Sequence, residues 1–226
     1  MMASAQVAQA GVEETSPTQQ QEKPTEQNDD SAGEEVKDTD GSSPRHVRHP
    51  LENVWTLWYL ENDRTKHWKD MLNEVAKIDS VETFWSLYYT IRPPSELKVG
   101  CDYSMFKLGI KPMWEDEANS KGGRWLISVS KSSKAELDRL WLDILLMMTA
   151  RIFDNSEEIC GAVINIRAKN NKISVWTANG SNELAILEIG QKLKQFLHLQ
   201  SNNLQYQLHS DAICKVNSSV KSIYTV

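Results

Sequence analysis

Ile159-Cys-Gly-Ala-Val-Ile-Asn-Ile-Arg167, followed by Lys172-Ile-Ser-Val-Trp-Thr-Ala178, is the stretch from which the fold is read. Two runs rich in Ile and Val flank a polar gap, and Lys169-Asn-Asn within it is a turn signal. The spacing predicts a hairpin with strands at 159–167 and 172–178.

Downstream, the pattern predicts a helix over 182–197 and short strands near 204–209 and 222–226. Upstream, residues 133–150 read as a long helix with an apolar stripe of Leu137, Leu140, Trp141, Ile144, Leu145 and Met148. Ser133 and Glu136 form a candidate capping box for it. Strands near 101–107 and 124–130 flank the loop Lys111-Pro-Met-Trp-Glu-Asp-Glu. Val81, Phe84, Trp85, Tyr88 and Ile91 recur at helical spacing, with Ser80 as N-cap and Pro93-Pro94 as the stop. Val54–Leu60 reads as a strand, and the polar residues 62–71 as a loop containing Trp68. Strands and helices interleave without βαβ spacing, so the fold class is α+β with a curved, largely antiparallel sheet.

Residues 1–44 differ from all of this. They contain no aromatic residue, and ten acidic residues stand against Lys23 and Lys37, a net charge of -8. Such a segment buries too little apolar surface to offset its ordering entropy, so it reads as a disordered tail before one domain over 45–226. The whole chain of 226 residues carries -6, which leaves the domain at +2. A protein that coats nucleic acid is normally basic. The charge excludes that class but not the reading of a single nucleotide in a pocket.

Cys101, Cys160 and Cys214 form no Cys-x-x-Cys pair, so they read as reduced thiols and no zinc site or disulfide framework is expected. There is no signal peptide and no membrane span in the sequence pattern, and the triplets at Asn179 and Asn217 are chance matches. No Gly-rich phosphate loop, metal-ligand pair or catalytic triad is evident; His209 beside an apolar strand reads as structural. The chain is not expected to be an enzyme or to need a cofactor.

Binding features are stronger. The chain has 8 Trp residues. Trp68 and Trp114 both lie in charged loops, where a core role is less natural, and two such indoles can sandwich a flat cation. Glu115 beside Trp114 suits a base edge with two N–H donors, and guanine has one. Arg167, Lys169 and Lys172 flank the hairpin turn, within reach of phosphates.

These residues resemble a known family, eukaryotic translation initiation factor 4E, the messenger-RNA cap-binding proteins. The likeness runs from His49-Pro-Leu to Val226. It rests on Val81-Glu-Thr-Phe-Trp85, Gly100-Cys-Asp-Tyr-Ser, Pro112-Met-Trp-Glu-Asp-Glu, Gly122-Gly-Arg-Trp and Cys160-Gly-Ala-Val-Ile-Asn-Ile-Arg-Ala-Lys with Trp176. The resemblance implies helices on the convex face of the sheet and a cap pocket on the concave side. It implies that Trp68 and Trp114 stack on 7-methylguanine, that Glu115 accepts the N1–H and 2-amino hydrogen bonds, and that Trp176 lies against the N7-methyl group. Arg167 and Lys172 would meet the phosphates, with Arg124 and Lys215 in support. His49, Pro50, Val81, Trp85, Leu142 and Asp143 would form the surface for a partner helix, shared by scaffold factor 4G and the 4E-binding repressors. Ser218 resembles a regulated serine, within one residue of register. A cytoplasmic protein, with room for P-body or nuclear pools, is implied.

The sequence departs from the family pattern on the partner side. Met147-Met-Thr-Ala150-Arg151 stands where the family commonly has Cys-x-Ile-Gly-Glu, and Tyr89-Thr90 where Asn and His are usual. The expectation is an ordinary cap pocket with shifted partner choice. The alternative to an initiation factor is therefore a cap-binding repressor or specialised paralogue.

Overall fold

The computed structural model describes residues 47–63, 65–199, 204–213 and 222–226; the acidic tail, Cys214, Lys215 and Ser218 lie outside them. In chain order the elements are β1 (Pro50–Leu60), α1 (Trp68–Met71), β2 (Leu72–Ser80), α2 (Val81–Thr90), β3 (Asp102–Lys107), α3 (Glu117–Ser120) and β4 (Gly123–Ser130). Then come α4 (Lys134–Thr149), β5 (Ile159–Asn165), β6 (Asn170–Thr177), α5 (Glu183–Phe196), β7 (Leu204–Leu208), α6 (His209–Ile213) and β8 (Tyr224–Thr225). The strands form one curved sheet in the order β2-β1-β3-β5-β6-β4-β7-β8, every pair antiparallel. The α+β expectation and the β5–β6 hairpin hold.

Strand alternation divides the sheet into two chemistries. Tyr103 and Met105 on β3, Trp125 and Ile127 on β4, Ile164 on β5, and Ile173 and Val175 on β6 share one buried cluster with α4 and α5. The intervening residues Ser104, Phe106, Arg124, Val163, Asn165, Ser174 and Trp176 face the other side. There Phe106, Cys160, Val163 and Trp176 make a small separate cluster.

Two glycines let large rings approach the backbone. A Cβ on Gly190 of α5 would lie 2.3 Å from the Trp125 ring, so α5 packs directly on that indole, whose Nε1 donates to Ile186 O at 2.9 Å. A Cβ on Gly161 would lie 2.5 Å from the Phe106 ring, which crosses β5 and meets Trp176 edge-on at 5.4 Å.

Three local expectations need correction, and one element has no counterpart in the sequence reading. Residues Trp68–Met71 form a short helix rather than loop. Leu72–Ser80, which carried no prediction, is an edge strand paired to β1. Ser133 makes no side-chain cap hydrogen bond, so the Ser133/Glu136 box does not form and α4 starts without it. His209 begins a helix rather than ending a strand. The Ser80 cap is present: its Oγ accepts from Thr83 N at 3.2 Å.

α4 ends in a Schellman motif, with Ile152 N donating to Met147 O at 3.0 Å and Arg151 N to Met148 O at 3.4 Å. The left-handed position that usually takes glycine is held by Arg151, at φ 51°.

Candidate functional site

The site is built on the cavity face. Its first wall is the loop between β3 and α3. Asn119, fully buried, donates through Nδ2 to Lys111 O at 2.8 Å and Met113 O at 2.9 Å. Asp116 accepts from Lys111 N at 2.9 Å through one carboxylate oxygen and caps α3 at Ala118 N with the other. The loop is thus tied at both ends, and it presents Trp114, 36% exposed, and Glu115, also exposed. The indole is therefore held open to solvent by a buried hydrogen-bond frame instead of packing into the core, which leaves its ring faces accessible to a flat ligand.

The opposite wall is cationic. Arg167 is held by Asp102: Nη1 donates to Oδ1 at 2.5 Å and Nη2 to Oδ2 at 2.9 Å. Asp102 itself is buried and also accepts from Asn165 Nδ2 at 2.8 Å. This fork fixes the guanidinium, and the hydrogen bond to Asp102 raises Arg167 above its ordinary value. Arg124 has no such partner. Burial lowers its pKa, and its Nε is unpaired among the described residues. A half-buried guanidinium whose Nε is unmatched among the described residues favours an arriving anion.

The floor is Trp176, 4% exposed, whose Nε1 donates to Ser174 Oγ at 3.1 Å. Behind it stands His209, with ring centroids 4.2 Å apart. Burial, with help from Arg124, pushes His209 down to about 3, so it is neutral near pH 7. The structure therefore gives His209 a supporting place beneath the floor.

One cavity of about 490 Å³ brings together Trp114, Glu115, Arg124, Arg167 and Trp176. Lys172 lies in an adjoining hollow of about 580 Å³ that shares Arg124 and Arg167. Leu60 and Leu72 face each other across β1 and β2 and both line the first cavity. Trp68 opens α1 in the connection between them. Lys215 and Ser218 lie outside the described residues. Sequence reasoning assigned no role to Asp102, Asn119 or Asn165. Asp102 stood inside a quoted motif, but its task depends on β3–β5 register, which no local pattern carries.

The residues expected to hold a partner helix gather on the helix-bearing side. His49, Pro50 and Val81 are exposed, while Trp85, Leu142 and Asp143 are half-buried. His49 is held to Glu82 through Nδ1 at 2.6 Å, and Asp143 accepts from Arg139 Nη1 at 2.7 Å. Tyr89, 78% exposed, stacks on Trp85 at 5.6 Å. Arg151 pairs with Glu52 on β1.

The chain matches the family model described as eukaryotic initiation factor 4E over residues 50–224. It is 64% identical over 180 residues to eukaryotic translation initiation factor 4E1 of Drosophila melanogaster, spanning 79% of this chain and 70% of that one. It is 43% identical over 213 residues to human eukaryotic translation initiation factor 4E, spanning 93% and 94%. Among solved structures it resembles Ascaris suum eIF4E-3 in complex with the m2,2,7G cap: TM-score 0.75, 47% identity, 80% of this chain and 99% of that one. It also resembles C. elegans eIF4E-3 in complex with the 4E-binding protein Mextli and a cap analogue: TM-score 0.71, 46% identity, 75% and 97%.

Proposed function

Because the chain belongs to the eukaryotic initiation factor 4E family, we propose that it binds the 7-methylguanosine 5′ cap of messenger RNA and recruits the scaffold factor 4G to start translation. The observation that carries the reading is the single cavity where an exposed indole and a carboxylate face an oriented arginine. N7 methylation makes the base cationic, so Trp114, Trp68 and Glu115 would all favour it over guanine. Each aromatic platform is worth about 1–3 kcal/mol and the charge-assisted carboxylate contact about 1.5–3 kcal/mol. With Arg167, Lys172, Arg124 and Lys215 on the triphosphate, the sum reaches the ~8 kcal/mol of a micromolar complex. The contacts read one modified base and its phosphates, which a chain of net charge -6 can do.

The protein acts by binding, in the cytoplasm, and leaves capped RNA incubated with magnesium intact. C. elegans eIF4E-3 is found in complex with the 4E-binding protein Mextli and a cap analogue, and a schistosome eIF4E with m7GpppA and 4E-BP, which supports a partner surface separate from the cap site. That surface would be His49, Pro50, Val81, Trp85, Leu142 and Asp143. Tryptophan quenching by 7-methyl-GTP but not GTP, followed by anisotropy with a scaffold-type Tyr-x-x-x-x-Leu helix, tests both halves. Failure of the first removes cap reading; failure of the second alone removes scaffold recruitment.

A second reading, a cap binder with altered scaffold binding that acts as repressor or specialised paralogue, is favoured by Tyr89. Its ring covers part of Trp85. Equal affinities of this chain and a conventional family member across a panel of scaffold and repressor peptides would eliminate it.

A further inference from the structure

Arg167 is shared by three hollows. The first holds Trp114 and Glu115; the second holds Lys169 and Lys172; the third, about 200 Å³, holds Lys131, Lys134 and Asn171. Strand register explains the grouping. Ser130 pairs with Asn170 and Ser128 with Lys172, so Lys131 leaves β4 at the same sheet end where Lys169 enters the turn. Asn171 Oδ1 accepts from Arg167 N at 3.1 Å and closes that turn.

Lys131, Lys134, Lys169 and Lys172 are all exposed, and none has an ion-pair partner among the described residues. Two of the nearby carboxylates are engaged elsewhere, while Glu136 and Glu96 stand exposed on the same side with no ion pair to these lysines. Asp102 holds Arg167, and Asp138 accepts from Ser95 N at 2.9 Å and Ser95 Oγ at 2.6 Å. By contrast, Arg48, Lys66, Arg139, Arg151 and Lys192 each meet an acidic side chain. Four exposed lysines, unpaired among the described residues and lining two hollows that share a fixed arginine, make a local positive field that the net charge of the chain conceals.

We propose that Lys169, Lys131 and Lys134 form a track for the phosphates of the nucleotides that follow the cap. The inference rests on the cap reading and extends it from the triphosphate to the RNA body. The third hollow is walled by Pro94, Leu97, Val99 and Leu137 and offers no aromatic platform, so the track holds backbone and is indifferent to base sequence.

The test uses the full chain, 7-methyl-GTP, and capped oligonucleotides of about eight residues in two unrelated sequences. For the Lys131→Ala/Lys134→Ala variant, 7-methyl-GTP affinity stays within about twofold of wild type. Affinity for both oligonucleotides falls about threefold to tenfold near 50 mM salt, and the slope against log salt flattens by about 0.7 per lysine. Lys77→Ala, on the far edge strand, changes neither. The track is overturned if wild type binds the oligonucleotides no tighter than 7-methyl-GTP, if the double variant keeps the whole increment, or if Lys77→Ala loses as much. A wild-type chain that fails to bind 7-methyl-GTP removes the cap reading and the track with it. Intact 7-methyl-GTP binding beside an unchanged double variant removes the track alone.

Discussion

On β3, β5 and β6 neighbouring residues lead different lives. Met105, Ile164 and Val175 are fully buried against α4 and α5, with apolar side chains on every side. Ser104, Asn165 and Ser174, one position away, line a water-accessible cavity with two arginines at its rim. The first face is closed to water and almost wholly apolar, with the Trp141 Nε1 its one buried donor left unpaired among the described residues. The second is open, with an exposed indole, an exposed carboxylate and an arginine whose Nε is unpaired among the described residues. On the proposed reading, stability and binding sit on opposite sides of the same strands, and substitutions should separate them.

The largest effect tests the closed face. Trp125 is fully buried, hydrogen-bonded to Ile186 O and pressed on Gly190. Trp125→Ala should cost about 3–5 kcal/mol of unfolding free energy in a denaturant titration. The molecules that remain folded should bind 7-methyl-GTP as wild type does. Next comes the open face. Glu115 is exposed, and its side chain makes no hydrogen bond or ion pair among the described residues. Glu115→Gln should therefore lower 7-methyl-GTP affinity about tenfold to a hundredfold by quenching titration, matching about 1.5–3 kcal/mol for a charge-assisted contact. The denaturation midpoint should not move. A large loss of stability here would break the division between faces.

Asp102 is where the division should blur, because it is buried yet lies on the cavity side. Asp102→Asn leaves Arg167 with a weaker partner. The arginine is 41% exposed, so water screens part of the loss. The expected cost is about 1–2 kcal/mol in stability and about tenfold in affinity for the triphosphate.

His209 offers a pH test. Its folded pKa of about 3 lies below the ordinary histidine value of 6.5, so the unfolded chain binds the extra proton between those values. Stability from this group is complete above about 6.5 and declines as pH falls toward 3. His209→Phe should remove that contribution, so its unfolding free energy should fall less steeply over this window, by at most about 1.4 kcal/mol per pH unit. An unchanged slope would mean that the imidazole is already protonated in the fold.

The legible parts of the molecule are those whose pattern is local. The β5–β6 hairpin follows from two β-prone runs and a turn, and α2 from one Ser cap and a Pro-Pro stop. Edge strand β2 was invisible because Asn73, Glu74, Lys77 and Asp79 interrupt its alternation, and only pairing to β1 makes it a strand. Trp114 and Glu115 could be singled out from a charged loop that gave an indole no reason to be there. The frame that presents them could not: Asn119 reaches back 6 and 8 residues to carbonyls whose position depends on the folded loop. Asp102 meets Arg167 across 65 residues of chain.

The smallest effect is expected at the helix-face departure that looked largest in the sequence. Arg151 occupies a left-handed backbone position that costs a non-glycine residue about 1 kcal/mol or more. Against this, its Nε donates to Ser156 Oγ at 2.7 Å, worth about 0.5–1.5 kcal/mol, and its exposed pair with Glu52 adds about 0–1 kcal/mol. These terms nearly cancel, so Arg151→Gly should shift stability by less than about 1 kcal/mol in either direction and leave 7-methyl-GTP affinity untouched. Peptide anisotropy on the same variant isolates the remaining role. If scaffold-peptide affinity changes while stability does not, Arg151 belongs to partner choice. If neither changes, the departure from the family pattern is a neutral exchange of backbone strain for side-chain contacts, and Tyr89 alone carries whatever selectivity the helix face has.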